Sequence, residues 1–194
     1  ARTEELQRAL SSQETLVAEL AELSVRDPLT GLHNRRHADD EIPRLVASAE
    51  RHGQSLALAM ADLDHFKVIN DAHSYSVGDE VLRAFARILS QNARATDLVV
   101  RYGGEEFLLV MPQTTLEHAL VVCERLRRAV SEHEWGAIVP GLRVTVSVGV
   151  ASTVQSAGLV TLVSSADSAL HQAKRGGRDR VVATPGSSAP VPNG

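Results

Sequence analysis

From Ser55 the chain runs Leu56, Ala57, Leu58, Ala59, Met60, Ala61 without a polar residue and passes straight into Asp62, Leu63 and Asp64. An apolar run of that length reads as a buried strand, and here the strand ends in acids. A chain built around it needs other elements to cover it. Helical periodicity precedes it over 38–51, with a break expected at Pro43, and follows it over 77–91. Two short apolar runs, 98–101 and 107–111, flank Gly103-Gly104-Glu105-Glu106, the pattern of a hairpin. A helix over 115–132, an alternating strand over 143–151, a helix over 159–175 stopped by Gly176-Gly177, and an edge strand at 181–182 complete the order. Strand, helix, hairpin, helix, strand is the split βαββαβ pattern of a ferredoxin-like sandwich, so the fold class is α/β in its α+β sandwich form.

Ahead of this domain, residues 4–23 lack Gly and Pro, and Leu6, Leu10, Gln13, Val17 and Leu20 recur at alternating steps of four and three. That stripe suits a coiled coil, and an amphipathic helix lying on its own domain fits it equally well. Asp27-Pro28 and Gly31 end it. The chain thus divides into an N-terminal helix over 1–26, one domain over 27–183, and a tail over 184–194 whose Pro, Gly and Ser predict disorder.

With 20 Lys and Arg against 24 Asp and Glu the net charge is −4, and no dense basic stretch is present. A nucleic acid polymer is therefore excluded as the ligand. Aromatics are 3% of the chain, which predicts an aliphatic core. The single cysteine, Cys123, lies in an apolar helical stretch and reads as a small buried hydrophobe, with nothing to suggest an oxidising compartment. No stretch approaches the ~18 uninterrupted apolar residues of a membrane helix, and the start carries no basic-then-apolar signal pattern.

The chemistry gathers at the acids. Asp62 and Asp64 are expected to face opposite sides of the strand end, which leaves Asp62 as the one turned into a pocket. Glu105 and Glu106 bring further negative charge from the hairpin, and clustered carboxylates want a cation. Oxygen ligands without a companion Cys or His pair favour a hard ion such as magnesium, which shares its sphere with water and phosphates and so implies a nucleotide. Gly103 and Gly104 either let a ligand close to the backbone or supply positive backbone dihedrals. Lys67, Lys174 and Arg178 offer cations suited to phosphate oxygens. Asn70 and Asp79 could read a guanine edge, although spacing alone ranks them as helix caps.

These residues fall in an order that resembles the GGDEF diguanylate cyclase domains, bacterial signalling enzymes that condense two GTP into cyclic di-GMP. The resemblance spans 27 to about 182. It rests on Asp27-Pro28-Leu29-Thr30 through Arg36, Asp62 through Lys67, Asn70-Asp71, Gly78-Asp79, Arg101 through Phe107, Val146 through Gly149, and Ala166-Asp167 through Lys174 to Arg178. The signature is the GGEEF variant.

The resemblance implies that Asp62, the Leu63 carbonyl and Glu105 ligate magnesium, with manganese as a substitute, and that Glu106 either helps deprotonate the attacking 3′-hydroxyl or tunes the metals. It implies that Lys67, Lys174, Arg178 and the backbone around His65 and Phe66 hold phosphates, and that Asn70 and Asp79 select guanine. Each such domain holds one GTP, so bond formation needs a homodimer, oriented through the N-terminal helix by an upstream sensor or receiver domain in the cytoplasm of a bacterium. Arg94 and Asp97 match the family's inhibitory site for the product. The alternative on the same scaffold is a non-catalytic receptor for cyclic di-GMP or GTP, and a third reading is a cyclase making a monomeric cyclic nucleotide. Ser74-Tyr75 stands where most relatives have Gly-His. A serine there is expected to forbid a left-handed turn and to weaken guanine binding.

Overall fold

The computed structural model describes residues 25–153 and 159–184. In chain order its elements are β1 (His33–Asn34), α1 (Arg35–His52), β2 (Leu56–Leu63), α2 (Phe66–Ala72), α3 (Tyr75–Asn92), β3 (Leu98–Arg101), β4 (Glu106–Pro112), α4 (Leu116–Ser131), a 3-10 turn (Trp135–Ala137), β5 (Val146–Ser152), α5 (Leu159–Arg175) and β6 (Val181–Ala183). The expected N-terminal helix and nearly all of the tail lie outside the described residues.

Every residue of β2 is buried, and the sheet order β1-β3-β4-β2-β5-β6 explains why. β2 pairs antiparallel with β4 on one side and β5 on the other. Its side chains alternate between two cores. Ala57, Ala59, Ala61 and Leu63 join Val81 and Phe85 of α3 and Cys123 and Leu126 of α4. Leu56, Leu58 and Met60 join Ile42 and Val46 of α1 and Leu162 and Leu170 of α5. The four strands β3-β4-β2-β5 with α3 and α4 form the ferredoxin-like sandwich, extended by β1 parallel to β3 and β6 parallel to β5. Cys123 is wholly buried, and that burial pushes its thiol up to about 12.

α5 lies so close to the sheet that Gly149 of β5 has no room for a side chain. A Cβ there would collide with the Leu170 amide nitrogen and the Ala166 carbonyl oxygen and sit 2.8 Å from the Ala169 carbonyl carbon. The absent side chain sets the depth of the helix that ends at Lys174 and Arg175.

Several local expectations change. α1 runs unbroken through Pro43, because that residue is exposed and water can satisfy the carbonyl one turn earlier. The strand expected from 143 begins at Val146. β1, only two residues long, and α2, seven residues long, had no periodicity to announce them.

Candidate active site

Asp62, the penultimate residue of β2, sets its side chain on the α5 face, opposite Glu106 of β4 and Ser147 of β5 in the two registers. The Leu63 amide donates to the Glu105 carbonyl at 3.3 Å, so the glycine turn is stitched to the strand end one residue beyond Asp62. Lys174 reaches across from α5 and sets its Nζ 2.7 Å from Asp62 Oδ2. Burial pushes the Asp62 carboxyl above the usual range. Lys174 opposes that, while Glu105 and then Glu106 push the same way as burial. Three acids and a lysine therefore share one electrostatic site at the end of the central strands.

Asp64 was expected to face away from Asp62. Residues two apart on a strand share a face, and Asp64 in fact takes a hydrogen bond from Ser147, the register partner of Asp62. It is 4% exposed and makes no bond to Lys174.

The glycine turn is held from behind. The Arg101 guanidinium donates to the Gly104 carbonyl at 3.2 and 2.9 Å and pairs with both carboxylate oxygens of Asp27 at 3.1 Å. Asp27 also accepts from the Thr30 amide and hydroxyl. Burial pushes the Asp27 carboxyl up, and the bonds from Thr30 and Arg101 outweigh it, leaving that group below the usual range. Neither Gly103 nor Gly104 takes a left-handed φ. A Cβ on Gly104 would meet nothing, whereas one on Gly103 would stand 2.8 Å from Glu106 Oε2. Of the two readings of these glycines, close approach survives and special dihedrals do not.

α2 starts abruptly at His65, whose φ of 56° turns the chain in the left-handed region with no side-chain cap. Its first residue, Phe66, is buried, and Lys67 projects from the same turn, exposed. Asn70, one turn on, packs on Gly78 of α3, with which a Cβ would collide at Asn70 Oδ1. That oxygen is buried without a hydrogen-bond partner. Asn70 of α2 thus meets α3 at Gly78, the residue before Asp79. Ser74 adopts φ 163°, an extended conformation open to any residue, and its hydroxyl caps α3 by accepting from the Val77 amide at 3.4 Å. The left-handed turn that a serine would have forbidden is not used. Tyr75 is 80% exposed.

Arg178 and Asp179 follow Gly177 with φ of 61° and 44° after 114°. Arg94 and Asp97 lie in the loop between α3 and β3, away from this site. They form no side-chain ion pair. Asp97 Oδ2 accepts from the Arg94 backbone amide at 2.7 Å, and the exposed Arg94 guanidinium has no partner among the described residues.

Among the described residues, no three His, Cys, Asp or Glu side chains gather closely enough to cage a metal alone. The acids present fit magnesium in its usual manner of binding, through one or two carboxylates with phosphates and waters filling the sphere. No helix of the described residues is long and apolar enough to cross a membrane.

Comparison with known proteins places the chain in a family. Residues 24–180 match the family described as diguanylate cyclase, GGDEF domain. The response regulator PleD of Caulobacter vibrioides is 44% identical over 165 residues, 83% of this chain and 36% of that protein. Diguanylate cyclase DgcM of Escherichia coli is 39% identical over 180 residues, 90% of this chain and 42% of its own length. The chain thus spans roughly two-fifths of either relative. Among solved structures, the coiled coil and GGDEF domain of DgcB from Caulobacter crescentus, in complex with c-di-GMP, superimposes with a TM-score of 0.88 at 30% identity, covering 95% of this chain and 98% of that one. The active GGEEF domain of a diguanylate cyclase from Vibrio cholerae gives a TM-score of 0.75 at 31% identity, covering 79% of this chain and 98% of that one. The chain belongs to the GGDEF diguanylate cyclase domain family.

Proposed function

We propose that this domain condenses two GTP into cyclic di-GMP and two pyrophosphates. The observation that carries the reading is the buried Asp62 with Glu105, Glu106 and Lys174 around it at one strand end. Asp62, the Leu63 carbonyl and Glu105 would hold magnesium with the triphosphate, and Glu106 would help deprotonate the attacking 3′-hydroxyl or tune the metal site, its charge adding to what burial and Glu105 do to Asp62. The metal, when bound, offsets the charge developing at the α-phosphorus. Lys67, Lys174 and Arg178 bind the β- and γ-phosphates, with the His65–Phe66 backbone beside them. Asn70 and Asp79 hold guanine, and the orphaned Asn70 oxygen supports that role, because the wrong base leaves such groups unpaired.

Each 3′-oxygen forms a bond to the other nucleotide's α-phosphorus as the bond to pyrophosphate breaks, and each hydroxyl proton leaves to a base or water. One domain cannot align both, so a homodimer is the working unit, oriented through the N-terminal segment by an upstream sensor. Arg94 and Asp97 hold product and restrain the dimer, a role favoured by the unpartnered Arg94 guanidinium.

The test is incubation of the protein with GTP and magnesium at high protein concentration, followed by chromatography. Cyclic di-GMP and pyrophosphate are expected, and both should vanish in Glu105→Ala. Binding of cyclic di-GMP with no product formed would support the receptor reading instead, and turnover of ATP beside GTP would support a monomeric cyclic nucleotide.

A further inference from the structure

Asp64 is 4% exposed, carries no ion pair, and plays no part in the chemistry above. It accepts three hydrogen bonds: from Ser147 Oγ at 2.6 Å, Thr145 Oγ1 at 2.7 Å and the Asp179 backbone amide at 3.0 Å. Two of these donors come from β5 and the residue just before it. The third belongs to the segment that follows α5, where Gly177, Arg178 and Asp179 take φ of 114°, 61° and 44° in succession. Two consecutive non-glycine residues in the left-handed region persist only where the surroundings over-determine them.

The restraints are visible. The Arg178 amide donates to the Ala173 carbonyl at 3.1 Å, and the Asp179 carboxylate takes Arg127 NH1 of α4 at 2.6 Å. Asp179 is thus gripped twice, by its backbone from Asp64 and by its side chain from Arg127. Asp64 sits two residues from Asp62, so the clasp ties the segment bearing Lys174 and Arg178 to the strand end that bears the acid.

We propose that Asp64 is a positioning residue for the triphosphate: its buried carboxylate, seated on Thr145 and Ser147, holds the left-handed segment through the Asp179 amide so that Lys174 and Arg178 converge beside Asp62. The proposal rests on the phosphate roles given to Lys174 and Arg178 above. It predicts a defect confined to the phosphate end of the ligand. An asparagine can replace the acid, because its oxygen can face the Asp179 amide while its NH2 donates to the Ser147 hydroxyl.

The test is calorimetric binding of α,β-methylene-GTP, which cannot be cleaved, and of GMP, both with magnesium and full-length chain. Asp64→Ala should weaken the triphosphate about tenfold, the lower range for losing a partner that orients a binding group, with GMP within about twofold of wild type. Asp64→Asn should restore triphosphate binding. The double variant Thr145→Val with Ser147→Ala, which keeps the acid but removes its seat, should reproduce the selective loss even if Asp64→Ala does not fold. Unchanged triphosphate binding, equal loss of both ligands, or failure of the asparagine to rescue overturns the role of Asp64. A wild type that does not prefer the triphosphate over GMP, or a Lys174→Ala variant that binds it normally, overturns the phosphate clamp itself and the function proposed for it.

Discussion

Gly149→Ala adds one methyl group where α5 meets β5. That carbon would stand 2.8 Å from the Ala169 carbonyl carbon and closer still to the Leu170 nitrogen and Ala166 oxygen, all of them helix backbone that no rotamer change can move. Ordinary contact begins near 3.4 Å, and the two closest atoms set the demand, so α5 must withdraw by more than about an ångström or tilt. Overpacking of this kind costs about 1–3 kcal/mol, and rigid backbone partners put the expectation at about 3. For a chain of this size each kcal/mol lowers Tm by roughly 2–4 °C, which predicts a fall of roughly 6–12 °C. The displacement should also loosen the 2.7 Å pair of Lys174 with Asp62 and weaken triphosphate binding. Thermal unfolding followed by circular dichroism measures the first effect. Gly136→Ala, where a Cβ meets nothing, serves as the control and should shift Tm little. A Gly149→Ala protein melting within about 2 °C of wild type, with normal nucleotide binding, would refute the claim that contact with this glycine sets the helix depth.

On the proposed reading a divalent ion binds ionised Asp62, whose carboxyl lies above the usual range, so metal affinity should fall as pH drops through that raised value. Glu106→Gln removes a like charge, and the midpoint should move to lower pH; a fixed midpoint in a magnesium titration across pH would contradict the coupling. Asp27 is the opposite case. Its lowered value means that its contribution to folding is present above the unfolded carboxylate pKa of about 3.9 and lost as pH falls through the folded value. Urea melts of Asp27→Asn should therefore differ from wild type at neutral pH, and the gap should close as pH is lowered below the unfolded value of about 3.9. Arg94→Ala should relieve product inhibition while leaving the initial rate unchanged, and progress curves with added cyclic di-GMP would expose inhibition that persists.

The parts of the fold that could be read in the sequence are those whose burial repeats. β2 announces itself because both of its faces are covered, and α5 because Gly176 and Gly177 stop a clear helical period. α2 offers seven residues and begins at a left-handed His65, so neither period nor cap foretells it. The acids and basic residues of the site were visible as residue types, since a carboxylate ending an apolar strand is costly without a reason. Their geometry was less accessible. The expectation that Asp64 faces away from Asp62 fails against the two-residue period, which places both on one face, and its partners at Thr145 and Ser147 lie some 80 positions away, reachable only through strand pairing. The Asp27–Arg101 pair joins residues 74 apart through the β1–β3 register, which a two-residue strand of His and Asn could not signal.

An acid sunk as deep as Asp62, with two glutamates beside it, needs a positive neighbour at every stage, and the ammonium of Lys174 is one that can leave. It sits on a flexible four-carbon stem and is 30% exposed, so it can swing outward without disturbing the helix that carries it. With a divalent ion and nucleotide bound, Asp62 would serve as a ligand and the Lys174 ammonium would pair with phosphate oxygens instead. Charge would then be exchanged, with none left stranded, and the cost of burying Asp62 would be met before and after by different cations.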